Sequence, residues 1–231
     1  MNYAIIAAGE GSRLVQEGIG TPKPLVKLNG KEMLLRLIEI FIDNNAASVS
    51  VIINQEMTEV KEFVDGLVLN IPLNVVVKST PSSMHSFYEL RRYLKEGKFC
   101  LTTVDTIFRE EDFSQYIQSF IADDKHDGMM AVTSFVDDEK PLYVDVDENM
   151  LIRGFFDKSN SYKYVSGGIY GLTPTALDVL ENCINAGQSR MRNFQRQLVM
   201  SGMVLKAYPF SKIVDVDHAG DIEKAELFIN E

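Results

Sequence analysis

The chain has 231 residues, 45% of them hydrophobic and 24% charged, a length and balance that suit one large α/β domain with an unstapled core. A formal net charge of -10 argues against nucleic acid and anionic membrane surfaces as partners, because their phosphates repel such a chain at long range. Cys100 and Cys183 are too few for a disulfide framework or a zinc site, and no run approaches the ~20 apolar residues of a membrane span, so a cytoplasmic location is expected.

The first predicted element is a buried parallel strand beginning at Tyr3, which breaks at Gly9 and Gly11, where backbone N–H groups can approach an anion. Arg13 follows with a planar fork of donors, and Lys23 stands in Thr21-Pro22-Lys23-Pro24, a segment stiffened by its two prolines. Glycine backbone and two cations at this spacing suit a polyphosphate. The P-loop pattern is absent, and the dinucleotide pattern G-x-G-x-x-G fails where Leu14 replaces its third glycine.

The string Ala7-Ala8-Gly9-Glu10-Gly11-Ser12-Arg13-Leu14, with Thr21-Pro22-Lys23-Pro24-Leu25 downstream, resembles the signature loop of the nucleotidyltransferases that activate sugar phosphates, choline phosphate and similar alcohol phosphates. The resemblance implies a Rossmann-like, mostly parallel sheet in a single three-layer α/β/α domain. It implies that Ala7, Ala8, Gly9 and Gly11 line the nucleotide. Arg13 and Lys23 would then stabilise charge developing at the α-phosphate and on the leaving pyrophosphate.

Further along, apolar residues at helical spacing predict a helix over Lys31 to Asn44, followed by a strand over Val49 to Ile53. A helix over Thr58 to Leu67, with Thr58 as N-cap, and a strand over Leu73 to Val77 complete a βαβαβ pattern with right-handed crossovers. Ser79 to Phe87 joins this strand to a helix running to about Lys95, and its serines can cap that helix. Ser82, Ser83 and Ser86 resemble the Asn-Asn-x-x-Ser junction of bacterial choline-phosphate cytidylyltransferases, which implies a nucleobase-reading role and favours CTP or UTP.

Phe99 to Val104 predicts a fourth strand with Asp105 at its carboxyl end, where ligands bind in doubly wound sheets. Asp105-Thr106-x-Phe108 resembles the family's G-D-x-x-F, which implies a ligand of Mg²⁺; Val104 replaces the usual glycine. A helix over Glu111 to Ile121 and strands over Met129 to Phe135, Leu142 to Asp147, Leu151 to Phe156 and Tyr164 to Tyr170 follow, with Asp123-Asp124-Lys125 and Asp137-Asp138-Glu139 as solvated turns. Lys158 and the pair Gly167-Gly168 resemble the family's acceptor-binding elements. Helices are predicted from Thr173-Pro174 and over Arg190 to Met200, with Arg190 and Arg192 on a solvated face. After a strand over Met203 to Tyr208, the string from Val214 to Glu226 resembles the family's closing motif, which implies Asp215 as a second Mg²⁺ ligand with Asp217 beside it. His218 reads as a capping neighbour.

The resemblance covers residues 1–231 as one domain, with a nucleotide-binding half over about 1–110 and an acceptor-binding half over about 111–231. It implies a Mg²⁺-dependent enzyme that joins a nucleoside monophosphate to a sugar phosphate or alcohol phosphate. A molybdopterin guanylyltransferase-like enzyme and a catalytically silent nucleotide- or sugar-phosphate-binding protein are the competing readings, and a dinucleotide oxidoreductase is the weakest. The sequence leaves the acceptor and the oligomeric state open.

Overall fold

A computed structural model of the chain describes residues 1–137, 139–159 and 161–230; Asp138 of the expected acidic turn lies outside them. The first half contains β1 (Asn2–Ala7), α1 (Ser12–Gln16), β2 (Lys27–Leu28), β3 (Lys31–Glu32), α2 (Met33–Asp43), β4 (Ser48–Ile53), α3 (Thr58–Asp65) and β5 (Leu73–Val77). It continues through α4 (Ser83–Leu90), β6 (Phe99–Thr103) and β7 (Thr106–Phe108). The second half contains α5 (Glu110–Ala122), β8 (Gly128–Thr133), β9 (Tyr143–Val146), β10 (Ile152–Phe156), β11 (Tyr164–Leu172), α6 (Thr175–Asn185) and α7 (Met191–Met200). It ends with β12 (Leu205–Phe210), β13 (Ile213–Asp215) and α8 (Ala219–Asn230).

β1 lies between β4 and β6 and is parallel to both, and β5 extends the parallel set beyond β4. β11 runs antiparallel beside β6, then β8 and β12 continue in the original direction, while β9 and β10 attach to the start of β11. Traced through these pairings, every strand of the nine-stranded sheet runs one way except β10 and β11.

Alternation along β1 builds the three layers, because successive side chains of a strand point to opposite faces. Tyr3, Ile5 and Ala7 share a core with Leu34, Val60, Phe113 and Phe228, which puts α2, α3, α5 and α8 on that face. Ala4, Ile6 and Ala8 share the other with Phe87, Leu180 and Phe194, so α4, α6 and α7 cover the opposite face. The first core is tied together by rings: Tyr3 stacks on Phe41 at 4.5 Å between centroids, and Phe113 stacks on Phe108 at 4.8 Å. Offset pairs of this kind add about 0.5–1.5 kcal/mol each beyond their burial.

Three local readings change. The helix beginning at Thr58 has Met57 at its N-cap and no side-chain cap bond, so Thr58 does not cap. Lys31 and Glu32, expected to begin the helix that starts at Met33, instead pair with Lys27 and Leu28 in the β2–β3 hairpin. Its Asn29-Gly30 turn has φ of 50° and 83°, the left-handed pair that a two-residue hairpin requires. β7, unforeseen, pairs with β13 outside the main sheet.

Gly171 on β11 sits where no side chain fits, since a Cβ there would lie 2.7 Å from Tyr116 Oη and 2.9 Å from the Phe120 ring. Tyr116 is buried and donates its hydroxyl proton to the Met129 carbonyl at 2.7 Å, so it cannot yield without losing that bond. Gly171→Ala should therefore destabilise by about 1–3 kcal/mol, the usual cost of overpacking. A urea midpoint equal to wild type contradicts this packing.

Candidate functional site

The carboxyl ends of β1, β4, β5 and β6 open into a cleft of about 850 Å³, the position where open α/β sheets bind ligands. Gly9, Gly11 and Arg13 form one wall. Gly11 takes φ 60° before α1, and a Cβ on it would press on Lys23 Cβ at 3.0 Å, so this glycine lets Lys23 lie against the loop. Lys23 is buried in a short 3-10 turn held between Pro22 and Pro24. Ala7 lies beneath the cleft in the core rather than on its surface.

The Lys23 ammonium donates to Asp105 Oδ2 and, at 2.6 Å, to Asp217 Oδ1; Arg13 Nη1 donates to Asp217 Oδ2 at 2.9 Å. One chain of charges thus joins the glycine loop, the β6–β7 turn and the β13–α8 connection. Burial pushes the Lys23 pKa down, but the Asp105 and Asp217 carboxylates outweigh it and leave the group charged, with its pKa above the ordinary lysine value.

Asp215 faces the same cleft, and the β7–β13 ladder sets its register: Asp215 pairs with Thr106, and the Val216 N–H donates to the Asp105 carbonyl at 3.1 Å. Burial, then Asp215, raises the Tyr170 phenol above its ordinary pKa, with Asp105 adding to the effect. Among the described residues no group of three or more His, Cys, Asp or Glu is arranged to hold a metal. Mg²⁺ asks for less, because it keeps several waters and takes one or two carboxylates along with substrate phosphate oxygens. Asp105 and Asp215 fit that donor set, Asp105 with only Oδ2 held by Lys23, whereas Asp217 has one oxygen engaged by Lys23 and the other by Arg13.

Opposite the glycine loop, the β5–α4 junction presents hydroxyls. Ser82, Ser83 and Ser86 all line the cleft. Thr80 Oγ1 and Ser86 Oγ are 2.6 Å apart, and Ser82 Oγ meets His85 Nδ1 at 2.9 Å and accepts from the Arg190 N–H at 3.2 Å. Ser82 precedes α4 without a side-chain cap bond, so the capping expectation gives way to this cross-link. Asn54, which the sequence reading passed over, is buried just past β4; it donates to the Ala8 carbonyl at 3.3 Å and accepts from Ser79 Oγ at 2.6 Å. It joins the strand leading to the glycine loop to the serine junction. A lone asparagine ending an apolar strand at the sheet's carboxyl edge was the available signal.

On the far side, Gly168 lines the cleft with φ 72°, where a Cβ would meet Thr106 Oγ1 at 3.1 Å. Gly167 instead faces a neighbouring pocket and packs against Ile213. Lys158 is exposed and does not line the cleft; its neighbour Asp157 binds Arg192 at 2.5 Å and Arg196 at 2.7 Å. Arg190 and Arg192, expected on a solvated face, line the cleft with Lys140 and Gln195. Helical spacing could not show this, since the orientation of α7 is fixed by Phe194 and Leu198 in the second core.

His218 binds Glu17 at 2.6 Å, which also accepts from the Ala219 N–H, so it ties the end of α1 to the start of α8; Asp221 supplies the cap by accepting from the His218 N–H at 2.8 Å. The hydrogen bond to Glu17 holds the His218 pKa above the ordinary 6.5 despite slight desolvation. The contribution of this contact is complete below pH 6.5 and is lost as the pH rises through the higher folded value. NMR titration should place the His218 midpoint above 6.5, and Glu17→Gln should bring it back; equal midpoints in the two proteins contradict the contact.

The fold and sequence have relatives. The chain is 27% identical over 184 residues to the mannose-1-phosphate guanylyltransferase catalytic subunit beta of Drosophila melanogaster, a match covering 77% of this chain and 49% of that one. It is 23% identical over 236 residues to the bifunctional IPC transferase and DIPP synthase of Aquifex aeolicus, covering 97% and 51%. The chain thus spans about half the length of these curated relatives. Among solved structures, the inositol-1-phosphate CTP transferase of T. maritima superposes with a TM-score of 0.82 at 20% identity over 100% of this chain and 96% of that one. A putative glucose-1-phosphate thymidylyltransferase from Bacillus anthracis gives 0.86 at 17% identity with the same coverage, so the three-layer fold expected from the sequence is the one these enzymes share. The nucleotidyl transferase profile matches residues 3–231, from the first strand beneath the glycine loop to the helix after Asp217, and the chain belongs to that family.

Proposed function

We propose that the chain transfers a nucleoside monophosphate from a nucleoside triphosphate to a phosphorylated small-molecule acceptor, with Mg²⁺ as cofactor and pyrophosphate as the second product. The observation that carries this reading is the convergence of Lys23 and Arg13 with Asp105, Asp215 and Asp217 at the mouth of the glycine loop. An oxygen of the acceptor phosphate attacks the α-phosphorus, and the bond from that phosphorus to the pyrophosphate oxygen breaks. Both reactants are anions, so the protein positions them and neutralises charge without a covalent nucleophile.

Lys23 and Arg13 take the charge that grows on the α-phosphate and the departing pyrophosphate, while the backbone at Gly9 and Gly11 cradles the triphosphate. Asp105 and Asp215 would hold Mg²⁺, which when bound supplies charge neutralisation and Lewis-acid polarisation of phosphate oxygens. Ser82, Ser83 and Ser86 face the base, and a junction with no glycine beside these serines leaves less backbone clearance than a purine needs, which suits a pyrimidine. CTP or UTP is therefore the expected donor. Gly168 and Gln195 border the acceptor, whose class follows the relatives that act on sugar and inositol phosphates.

Pyrophosphate release with each of the four triphosphates against a panel of phosphorylated acceptors tests the reading. CTP or UTP should exceed GTP with at least one acceptor. A GTP preference of ten-fold or more, about 1.4 kcal/mol, discards the pyrimidine assignment.

A further inference from the structure

Asn54 is buried and lines the cleft at the carboxyl edge of the sheet. The strand registers place it between the glycine loop and the serine junction: Ile53 pairs with Ala7 of β1 on one side and with Val77 of β5 on the other, so the next residue stands between Ala8 and Ser79. Its amide has one orientation that satisfies its backbone partners. The Glu56 N–H donates to Oδ1 at 2.9 Å, which leaves Nδ2 to donate to the Ala8 carbonyl at 3.3 Å, and the Ser79 hydroxyl adds a second bond to Oδ1 at 2.6 Å.

The Ala8 carbonyl belongs to the peptide unit whose other end is the Gly9 N–H. That peptide is trans and planar, so its C=O and N–H point in opposite directions. β1 lies between β4 and β6, and a carbonyl drawn toward Asn54 on the β4 side turns the Gly9 N–H toward the β6 side, where Lys23 meets Asp105. Oδ1 also closes a local turn through Glu56, so a turn-forming role competes. That role asks only for an acceptor oxygen, which an aspartate supplies equally, whereas the bond from Nδ2 to Ala8 needs the amide.

We propose that Asn54 is a positioning residue for the triphosphate: it aims the Gly9 N–H at the phosphate chain, and its bond to Ser79 keeps that aim in register with the serine junction that faces the base. The inference rests on the nucleotidyl-transfer reading and adds a residue to it. In this role Asn54 touches no reacting atom and acts through the peptide joining Ala8 to Gly9.

Asn54→Asp separates the two roles, because a carboxylate keeps both bonds to Oδ1 and sets an oxygen against the Ala8 carbonyl. With Mg²⁺ and no acceptor, calorimetry finds the tightest of the α,β-methylene analogues of CTP, UTP, ATP and GTP, and NMR titration measures binding of its own nucleoside. The substitution should weaken that analogue about ten-fold or more, the usual reach of one charge-assisted hydrogen bond, and leave the nucleoside within about two-fold. Ser79→Ala, at an exposed position, tests the same chain if Asn54→Asp does not fold, and should lower the preference for triphosphate over nucleoside about three-fold. Equal losses for triphosphate and nucleoside would show general loosening, and no loss for either would show a turn former; each overturns the inference. In turnover with the best acceptor, kcat/KM for the triphosphate should fall by about ten-fold or more in Asn54→Asp. A wild-type chain that binds the analogues but makes no product contradicts the transfer reaction instead, and the binding comparison still decides the role of Asn54.

Discussion

Lys23→Ala should lower kcat by about 10²- to 10³-fold, the usual consequence of removing one donor to transition-state charge. Lys23 is the buried cation of the cleft, and its ammonium is already oriented by Asp105 and Asp217, so no reorganisation is needed as charge moves to the pyrophosphate. The same substitution strands two carboxylates. Breaking a fully buried pair costs about 3–5 kcal/mol, but the Asp217 side chain is 44% exposed and water compensates much of that loss. The urea midpoint should therefore fall modestly while kcat collapses. A variant that keeps kcat within three-fold and loses only triphosphate affinity would show Lys23 to be a ground-state anchor.

The second large effect separates the three aspartates. Asp105→Asn and Asp215→Asn should each reduce Mg²⁺-dependent turnover by about 10³-fold or more, because each removes a hard oxygen donor and leaves triphosphate charge uncompensated. Asp217→Asn should cost less, about ten-fold, since that side chain orients Lys23 and Arg13. The Mg²⁺ concentration giving half-maximal rate should rise in the Asp105 and Asp215 variants and stay near wild type for Asp217→Asn. Equal effects from all three, or none from Asp105→Asn at saturating Mg²⁺, would remove this ranking.

Much of this site was legible because its ends are written in local pattern. The apolar strand ending in Gly9-Glu10-Gly11, the Pro-locked Lys23 and the aspartate closing β6 each carry their position in the sequence, and the structure brings them to one cleft. Three features were harder to read. The β7–β13 ladder couples residues more than a hundred positions apart, and no periodicity within either segment announces it. Arg190 and Arg192 reach the cleft because α7 buries Phe194 and Leu198 beneath them, a rotation set by tertiary packing. Asn54 acts through hydrogen bonds to a carbonyl and a serine on two other segments, which residue type alone does not reveal. Lys158 resembles an acceptor-binding element in sequence, but its neighbour Asp157 pairs with Arg192 and Arg196 while the lysine stays exposed.

Label transfer from a triphosphate radiolabelled at the α-phosphate tests the central claim most directly. With Mg²⁺ and a phosphorylated acceptor, the label should move into a product joining nucleotide and acceptor, one unlabelled pyrophosphate should appear per label transferred, and chelation of Mg²⁺ should stop both. Label that remains in free triphosphate across the acceptor panel, or that leaves as nucleoside diphosphate with inorganic phosphate released, would contradict nucleotidyl transfer at this cleft.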